Sequence, residues 1–97
     1  MWIRMTRVKM DAENREIARD LYNSGEVSGV ISEHKGYRFH YLLENVDDDT
    51  ESISITAWNT EADALSYENS GAYAELVGKF MALMTDPPVL SSYEVLE

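Results

Sequence analysis

Hydrophobic and polar residues alternate along several short stretches of the chain, and between them apolar residues recur every three or four positions. Alternation with period two places successive side chains on opposite faces of a strand, whereas the longer spacing places them on one face of a helix. We therefore predict strands over residues 2–10, 37–44, 53–58 and 89–96, the second of them an aromatic-rich run. Residues 45–50 form a polar turn, so residues 37–58 are predicted to be a hairpin.

The first helical segment is predicted to begin after Asp11, whose side chain can cap a helix, and to run to Asn23. Its apolar stripe consists of Ile17, Ala18, Leu21 and Tyr22. A short further turn of helix ends at residues 35–36, and its apolar residues are Val27, Val30 and Ile31.

The second helical segment is predicted over residues 60–85, with an interruption near residues 69–71 and a cap at Asn59 or Thr60. Pro87 and Pro88 follow it, because proline lacks an amide hydrogen and clashes with the preceding helical turn. The apolar residues of its second half are Tyr73, Leu76, Val77, Phe80, Met81 and Met84.

The order of these elements is βαββαβ, which predicts an α+β, ferredoxin-like antiparallel sheet with two helices on one face. The opposite face of the sheet would then be bare and apolar, including Ile53 and Ile55. Monomers rarely expose a large apolar patch, so we expect two such sheets to pack together in a two-fold homodimer.

The 97 residues are enough for a single domain, which we expect to span residues 1–97. A formal net charge of −10 disfavours binding to nucleic acid or to anionic membranes. There is no apolar run of membrane-spanning length or signal-peptide character, and the absence of cysteine fits a reducing compartment, so we expect a cytoplasmic protein.

No metal site is expected. His34 and His40 lack a metal-binding spacing, and the acidic residues 47–49 lack the alternating ligands and central glycine of a calcium loop. We interpret the acidic run as a solvated turn and His34 as a surface residue.

A strand that ends on Trp58 and passes at once into a capped helix, followed by Tyr67 and Tyr73 around a helix break, resembles the antibiotic-biosynthesis monooxygenase family of dimeric α/β barrels. The resemblance covers nearly the whole chain. It implies a cavity between sheet and helices that binds a small aromatic substrate without a cofactor. Trp58, Thr56 and Ser54 would line this cavity and Tyr67 and Tyr73 would close it, although core packing of the aromatic residues is the alternative.

Ser54 and Thr56 support the cavity independently of the resemblance, because each buried hydroxyl needs a hydrogen-bond partner and is costly in a packed core. His40 is a candidate general base and Arg38 a candidate anion-binding residue, both placed on one face of the second strand. Whether that face is the one that carries Trp58 depends on the hairpin register, which stays open, as does a purely structural role for His40.

Two departures from the family limit what the resemblance implies. Haem-degrading relatives carry a histidine on the second helix, where this chain reads Ala74 to Phe80 without one, so haem binding of that kind is not expected. Relatives that oxidise polyaromatic quinols have an asparagine at the position of Ser54. The leading hypothesis is a cofactor-independent monooxygenase of a small quinol or phenol. The alternatives are a non-catalytic ligand-binding or regulatory module, or an isomerase or degradative enzyme of a small metabolite.

Overall fold

The protein's structure, a computed structural model, describes residues 1–96, so Glu97 of the expected domain lies outside the described residues. The elements in chain order are β1 (Trp2–Lys9), α1 (Ala12–Asn23), α2 (Glu26–Ile31), β2 (Tyr37–Glu44), β3 (Glu51–Trp58), α3 (Glu61–Glu68), α4 (Gly71–Met81) and β4 (Val89–Glu94). This confirms the predicted βαββαβ order, with each helical segment divided into two helices. The last strand ends at Glu94, two residues before the predicted end.

The four strands form one antiparallel sheet in the order β2-β3-β1-β4, which is the ferredoxin-like arrangement. The register pairs Thr56 of β3 with Arg4 of β1 on one side and with His40 of β2 on the other. Arg4 in turn pairs with Ser92 of β4. Residues that are directly opposite in an antiparallel sheet share a face, so these four side chains form one row across the sheet.

One irregularity interrupts the pairing of β2 with β3. Tyr37 pairs with Trp58 and Phe39 pairs with Ala57, so Arg38 is an extra residue in a β-bulge. Because a bulge adds one residue to one strand only, Tyr37 and His40 lie on the same face although they are three positions apart.

Side-chain caps define where the second pair of helices begins. The Thr60 hydroxyl accepts a hydrogen bond of 3.2 Å from the Asp63 amide at the start of α3. The Ser70 hydroxyl accepts one of 3.2 Å from the Tyr73 amide at the start of α4. Such bonds satisfy amides that have no partner within the helix. Asp11 occupies the N-cap position of α1 but makes no side-chain cap bond.

The helices cover one face of the sheet and enclose two adjoining hydrophobic clusters. The larger cluster comprises Val27, Ile31, Trp58, Ala64, Tyr67 and Leu76, and the smaller comprises Val8, Met10 and Ala18. Two predicted stripe residues, Ile17 and Met81, instead point outward and are each 53% exposed. On α1 the inward direction follows Ala18 and Tyr22, which are four residues apart, and this turns Ile17 outward.

The other face of the sheet has no covering layer among residues 1–96. The alternation of β3 places Ile53 and Ile55 on this face, opposite to Trp58, as predicted. Tyr41, Leu43 and Tyr93 are exposed large apolar side chains on the same face of the two edge strands, β2 and β4. The homodimer that would cover them stays a prediction. None of the described helices combines the length and the apolar character needed to cross a membrane.

Candidate functional site

A cavity of about 210 Å³ lies between the sheet and the helices. Its walls come from all four strands below and from all four helices above. Five of the residues predicted from the sequence line it, namely His40, Ser54, Thr56, Tyr67 and Tyr73. Four further lining residues, Arg4, Tyr22, Glu68 and Ser52, were not singled out from the sequence.

His40 lies on the cavity face of β2, which answers the question of register that the sequence leaves open. Glu44 pairs with Ser52 rather than with Glu51, so His40 faces the same side as Thr56. The Tyr37 hydroxyl is 2.6 Å from His40 Nδ1, and the Ser28 hydroxyl is 3.2 Å from Nε2. Burial lowers the pKa of His40 below its ordinary value, so the ring is neutral at physiological pH. A neutral imidazole can accept a proton.

Trp58 is not among the residues that line the cavity, contrary to the prediction. Its side chain is 1% exposed and lies behind the wall, with its ring centroid 5.1 Å from that of Tyr67 and 6.2 Å from that of Tyr37. The indole N–H donates a hydrogen bond of 3.1 Å to the Thr56 hydroxyl. Trp58 therefore positions the wall and the Thr56 hydroxyl, since a side chain of this size at the strand end is enclosed by α2, α3 and α4.

Tyr67 and Tyr73 form one wall where α3 passes into α4. Their ring centroids are 5.0 Å apart at an edge-to-face angle. Burial raises the pKa of Tyr67 to about 12 and raises the pKa of Tyr73 as well. Both hydroxyls are therefore protonated at neutral pH and can donate hydrogen bonds. His34, expected to be a solvated surface residue, is half-buried. Its ring packs against that of Tyr67, with the two ring centroids 4.8 Å apart.

The Tyr22 hydroxyl is a buried polar group with no hydrogen-bond partner in the part of the chain that the structure describes. Its ring contacts His40 edge-on at 5.5 Å, and it lines the cavity. Burial raises the pKa of Tyr22 strongly, so this hydroxyl also stays protonated. A buried hydroxyl without a partner is costly, and a bound ligand with an oxygen atom would satisfy it.

Arg38 does not share the cavity with His40, so the expected common face is wrong. Arg38 is exposed, and its guanidinium donates a hydrogen bond of 3.3 Å to the Asn59 side chain. The physical reason is the β-bulge, which breaks the alternation between Arg38 and His40. The arginine that lines the cavity is Arg4.

The sequence carries a signal for Arg4. Arg4 lies on the helix-covered face of β1, which it shares with Trp2, Thr6 and Val8. A charged residue in such a position is unusual and indicates a pair or a ligand. Tyr22 was predicted on the apolar stripe of α1 but not as a site residue, and Glu68 gave no comparable signal.

The sequence profile of the family described as antibiotic biosynthesis monooxygenase matches residues 1–79. The chain belongs to this family. A search of curated proteins found no match.

Several solved structures share the fold of this chain. A predicted antibiotic biosynthesis monooxygenase from Nitrosomonas europaea is 18% identical, with full coverage of both chains and a TM-score of 0.83. Rv0793 from Mycobacterium tuberculosis is 17% identical, with 99% of this chain and 95% of that chain covered and a TM-score of 0.79. SnoaB, a cofactor-independent oxygenase from Streptomyces nogalater, is 13% identical, with 99% and 93% covered and a TM-score of 0.79. At these identities the comparisons establish the fold only.

Residues 1–96 contain no group of three or more histidine, aspartate or glutamate side chains placed to share a metal ion. The expectation of no metal site stays a prediction.

Proposed function

We propose that the protein is a cofactor-independent monooxygenase of a small phenol or hydroquinone. One observation carries the proposal: in a chain of the monooxygenase family, a neutral histidine faces a cavity with an aromatic wall. The cavity volume of about 210 Å³ is below the range of about 300–1,000 Å³ that holds drug-sized ligands. A substrate of one aromatic ring fits this size better than a fused polycyclic one.

The reaction balances without a bound cofactor. A phenol that becomes a quinone loses four electrons, and one molecule of O₂ accepts them. One oxygen atom enters the ring and the other leaves as water. The substrate must first lose its phenolic proton, because the phenolate gives up electrons more readily than the phenol.

His40 is the proposed proton acceptor in this step. Tyr37 holds the ring through Nδ1, and Nε2, whose partner is Ser28, is the nitrogen that would accept the proton. The contact of Nε2 with the exposed Ser28 hydroxyl is long at 3.2 Å, so a substrate hydroxyl can replace it. Thr56 and Ser54 would hydrogen-bond the substrate, and Tyr67 and Tyr73 would pack against its ring and exclude water.

Oxygen consumption with a panel of phenols and hydroquinones tests the proposal, combined with mass analysis of products formed under ¹⁸O₂. We expect one labelled oxygen atom per product molecule. His40→Gln should reduce the rate about 100-fold, the usual contribution of a general base at the lower end. His34→Gln is the matched control, since it removes the other histidine and should keep most of the activity. Absence of uptake with every substrate, or full activity in His40→Gln, would contradict the proposal.

A non-catalytic ligand-binding module is the second candidate. The observation that favours it is that both ring nitrogens of His40 already have partners within the protein, which is typical of a structural histidine. Thermal stabilisation by a phenol without oxygen consumption or product formation would support this alternative.

A further inference from the structure

Polar side chains cross the sheet in one row beneath the cavity. The register places Ser92, Arg4, Thr56 and His40 side by side on four adjacent strands. Adjacent strands lie about 4.8 Å apart, so the backbones that carry Arg4 and His40 are about 10 Å apart, with Thr56 between them. A proton acceptor and a cation thus stand on opposite sides of one cavity floor.

Two contacts hold the Arg4 guanidinium in place. Its Nη1 donates a hydrogen bond of 2.5 Å to the Ser92 hydroxyl. Its Nε lies 2.7 Å from a carboxylate oxygen of Glu68, as an ion pair that is not aligned as a hydrogen bond. A guanidinium has five N–H donors, and within residues 1–96 no partner is found for those on Nη2. Arg4 is therefore fixed and still has donors to offer.

The charges around the cavity leave Arg4 as the cation that a ligand meets. Among the described cavity-lining residues it is the one arginine or lysine, and Glu68 is its counter-ion. His40 is neutral, because burial lowers its pKa. The remaining titratable side chains that face the cavity are protonated tyrosines: Tyr22, Tyr67 and Tyr73.

We propose that Arg4 holds the oxygen that becomes negatively charged when a bound phenol ionises, and that the ligand is a phenol conjugated across its ring to a second oxygen. Hydroxyaryl ketones and hydroxyaryl esters are of this class. The phenolic O–H bond breaks at the His40 side and its proton passes to the imidazole. The electron pair delocalises through the ring onto the second oxygen, which lies against Arg4. Glu68 and Ser92 are positioning residues for the guanidinium.

The substrate class rests on the proposed function, but the test does not require turnover. The probe is 4-nitrophenol, whose ionised form is yellow and whose negative charge spreads onto the nitro oxygens across the ring. The matched control probe is 3-nitrophenol, in which the charge cannot reach the nitro group through the ring. Absorbance titrations of each probe, free and with excess protein, give the pKa of the bound phenol.

We expect the bound pKa of 4-nitrophenol to fall by about one unit or more, which is the usual effect of a nearby opposite charge, and that of 3-nitrophenol to fall less. Arg4→Gln should abolish the difference between the pKa shifts that the two probes undergo on binding. Arg4→Lys keeps the charge but not the planar fork and should retain part of it. Glu68→Gln keeps an oxygen for Arg4 while removing the negative charge, so the bound pKa should be no higher than in the unmodified protein.

Several results would overturn the inference: no binding at millimolar probe, a bound pKa equal to the free value, or equal shifts for the two probes. The unmodified protein alone can give each of them, so the test survives a variant that fails to fold. A shift that persists in folded Arg4→Gln would also overturn it. If oxygen uptake fails while the Arg4-dependent shift is seen, only the proposed oxygenase activity falls. If uptake succeeds without the shift, only the role of Arg4 falls.

Discussion

The two faces of strand β3 differ in polarity, and the polarity of each face is the opposite of what its surroundings ordinarily favour. The face beneath the helices carries Ser52, Ser54 and Thr56. The face without a covering layer in the described chain carries Ile53 and Ile55. In an ordinary sheet packed on helices the apolar side chains would lie under the helices and the polar ones in water.

Each reversal has its own physical explanation. Polar side chains under the helices are tolerated because the space above them is a cavity rather than packed core. Apolar side chains on the open face are tolerated if a second sheet covers them. The comparison therefore supports the proposal that one face of β3 serves a ligand, and the prediction that the other meets a partner sheet.

The largest effect is expected from a charge on the open face. Ile55→Lys should weaken the predicted homodimer by about 5 kcal/mol, more than a thousandfold, because a lysine there would be buried without a counter-charge. Sedimentation velocity across a range of protein concentrations measures the change. Ser54→Ala, on the neighbouring residue but the other face, is the matched control and should sediment as the unmodified protein does. A folded Ile55→Lys protein that remains fully dimeric would show that the interface lies elsewhere.

The next effect concerns the support behind the cavity. Trp58→Ala should lower the free energy of unfolding by about 4 kcal/mol, since it removes a fully buried aromatic ring that packs against Tyr67 and Tyr37. Urea unfolding monitored by circular dichroism gives the value. Trp58→Phe keeps a ring at the site and should lose clearly less. A loss below about 1 kcal/mol in Trp58→Ala would mean that the site collapses around the missing ring.

A smaller effect separates the two polar residues of the cavity face. Thr56→Val should cost about 1–2 kcal/mol of unfolding free energy, because the indole N–H of Trp58 loses its acceptor while the side-chain volume is kept. Ser54→Ala should change stability by less than about 0.5 kcal/mol, since no hydrogen bond of the Ser54 hydroxyl is found within residues 1–96. Equal costs in parallel urea titrations would contradict the assignment of Thr56 as the partner of Trp58.

The smallest effect is the pH dependence of stability that His40 introduces. Burial lowers the folded-state pKa of His40 below the unfolded value of about 6.5, so the unfolded chain takes up the proton more readily. The stability that the neutral His40 contributes is complete above the unfolded-state pKa and is lost as pH falls through the folded-state pKa. Urea midpoints at pH 7.5 and 5.5 should therefore differ in the unmodified protein and in His34→Gln, and the difference should shrink in His40→Gln.

Two carboxylates with shifted pKa values do not contribute in this pH interval. Hydrogen bonds from Arg19 lower the pKa of Glu44, and hydrogen bonds from Thr50 and Lys9 lower that of Asp48. Both carboxylates therefore stay ionised between pH 5.5 and 7.5. A His40→Gln protein with the same pH dependence as the unmodified one would remove His40 as its source.

The sequence was sufficient to predict the order of the elements and most of their boundaries. Alternation in β1 and β3, the break at Ser70 and the prolines after α4 are local signals, and local signals determine where elements begin and end. The faces of β3 were predicted for the same reason, because alternation within one strand needs no information from another.

The site was predicted only in part, because its arrangement depends on relations between strands. The face on which His40 lies depends on the register of the β2–β3 hairpin, and the sequence of β2 alone does not determine that register. The β-bulge at Arg38 also has no distinctive residue type that would reveal it in the sequence. The pairing of Arg4 with Glu68 joins positions that are 64 residues apart in the sequence, 68 less 4, and no pattern along the chain indicates it.

The bulge has a consequence for how this protein can change during evolution or engineering. Gly36, at a φ of 84°, is held just before the bulge: its carbonyl accepts a 2.8 Å bond from the Asn59 amide, and an added Cβ would collide with Asp63. Downstream, the residues from Phe39 onward are paired in regular register with β3. Between these fixed points β2 has one residue more than β3, and the unpaired Arg38 is that extra residue. We therefore expect insertions or deletions at Arg38 to move the Tyr37 hydroxyl while leaving His40 over the cavity.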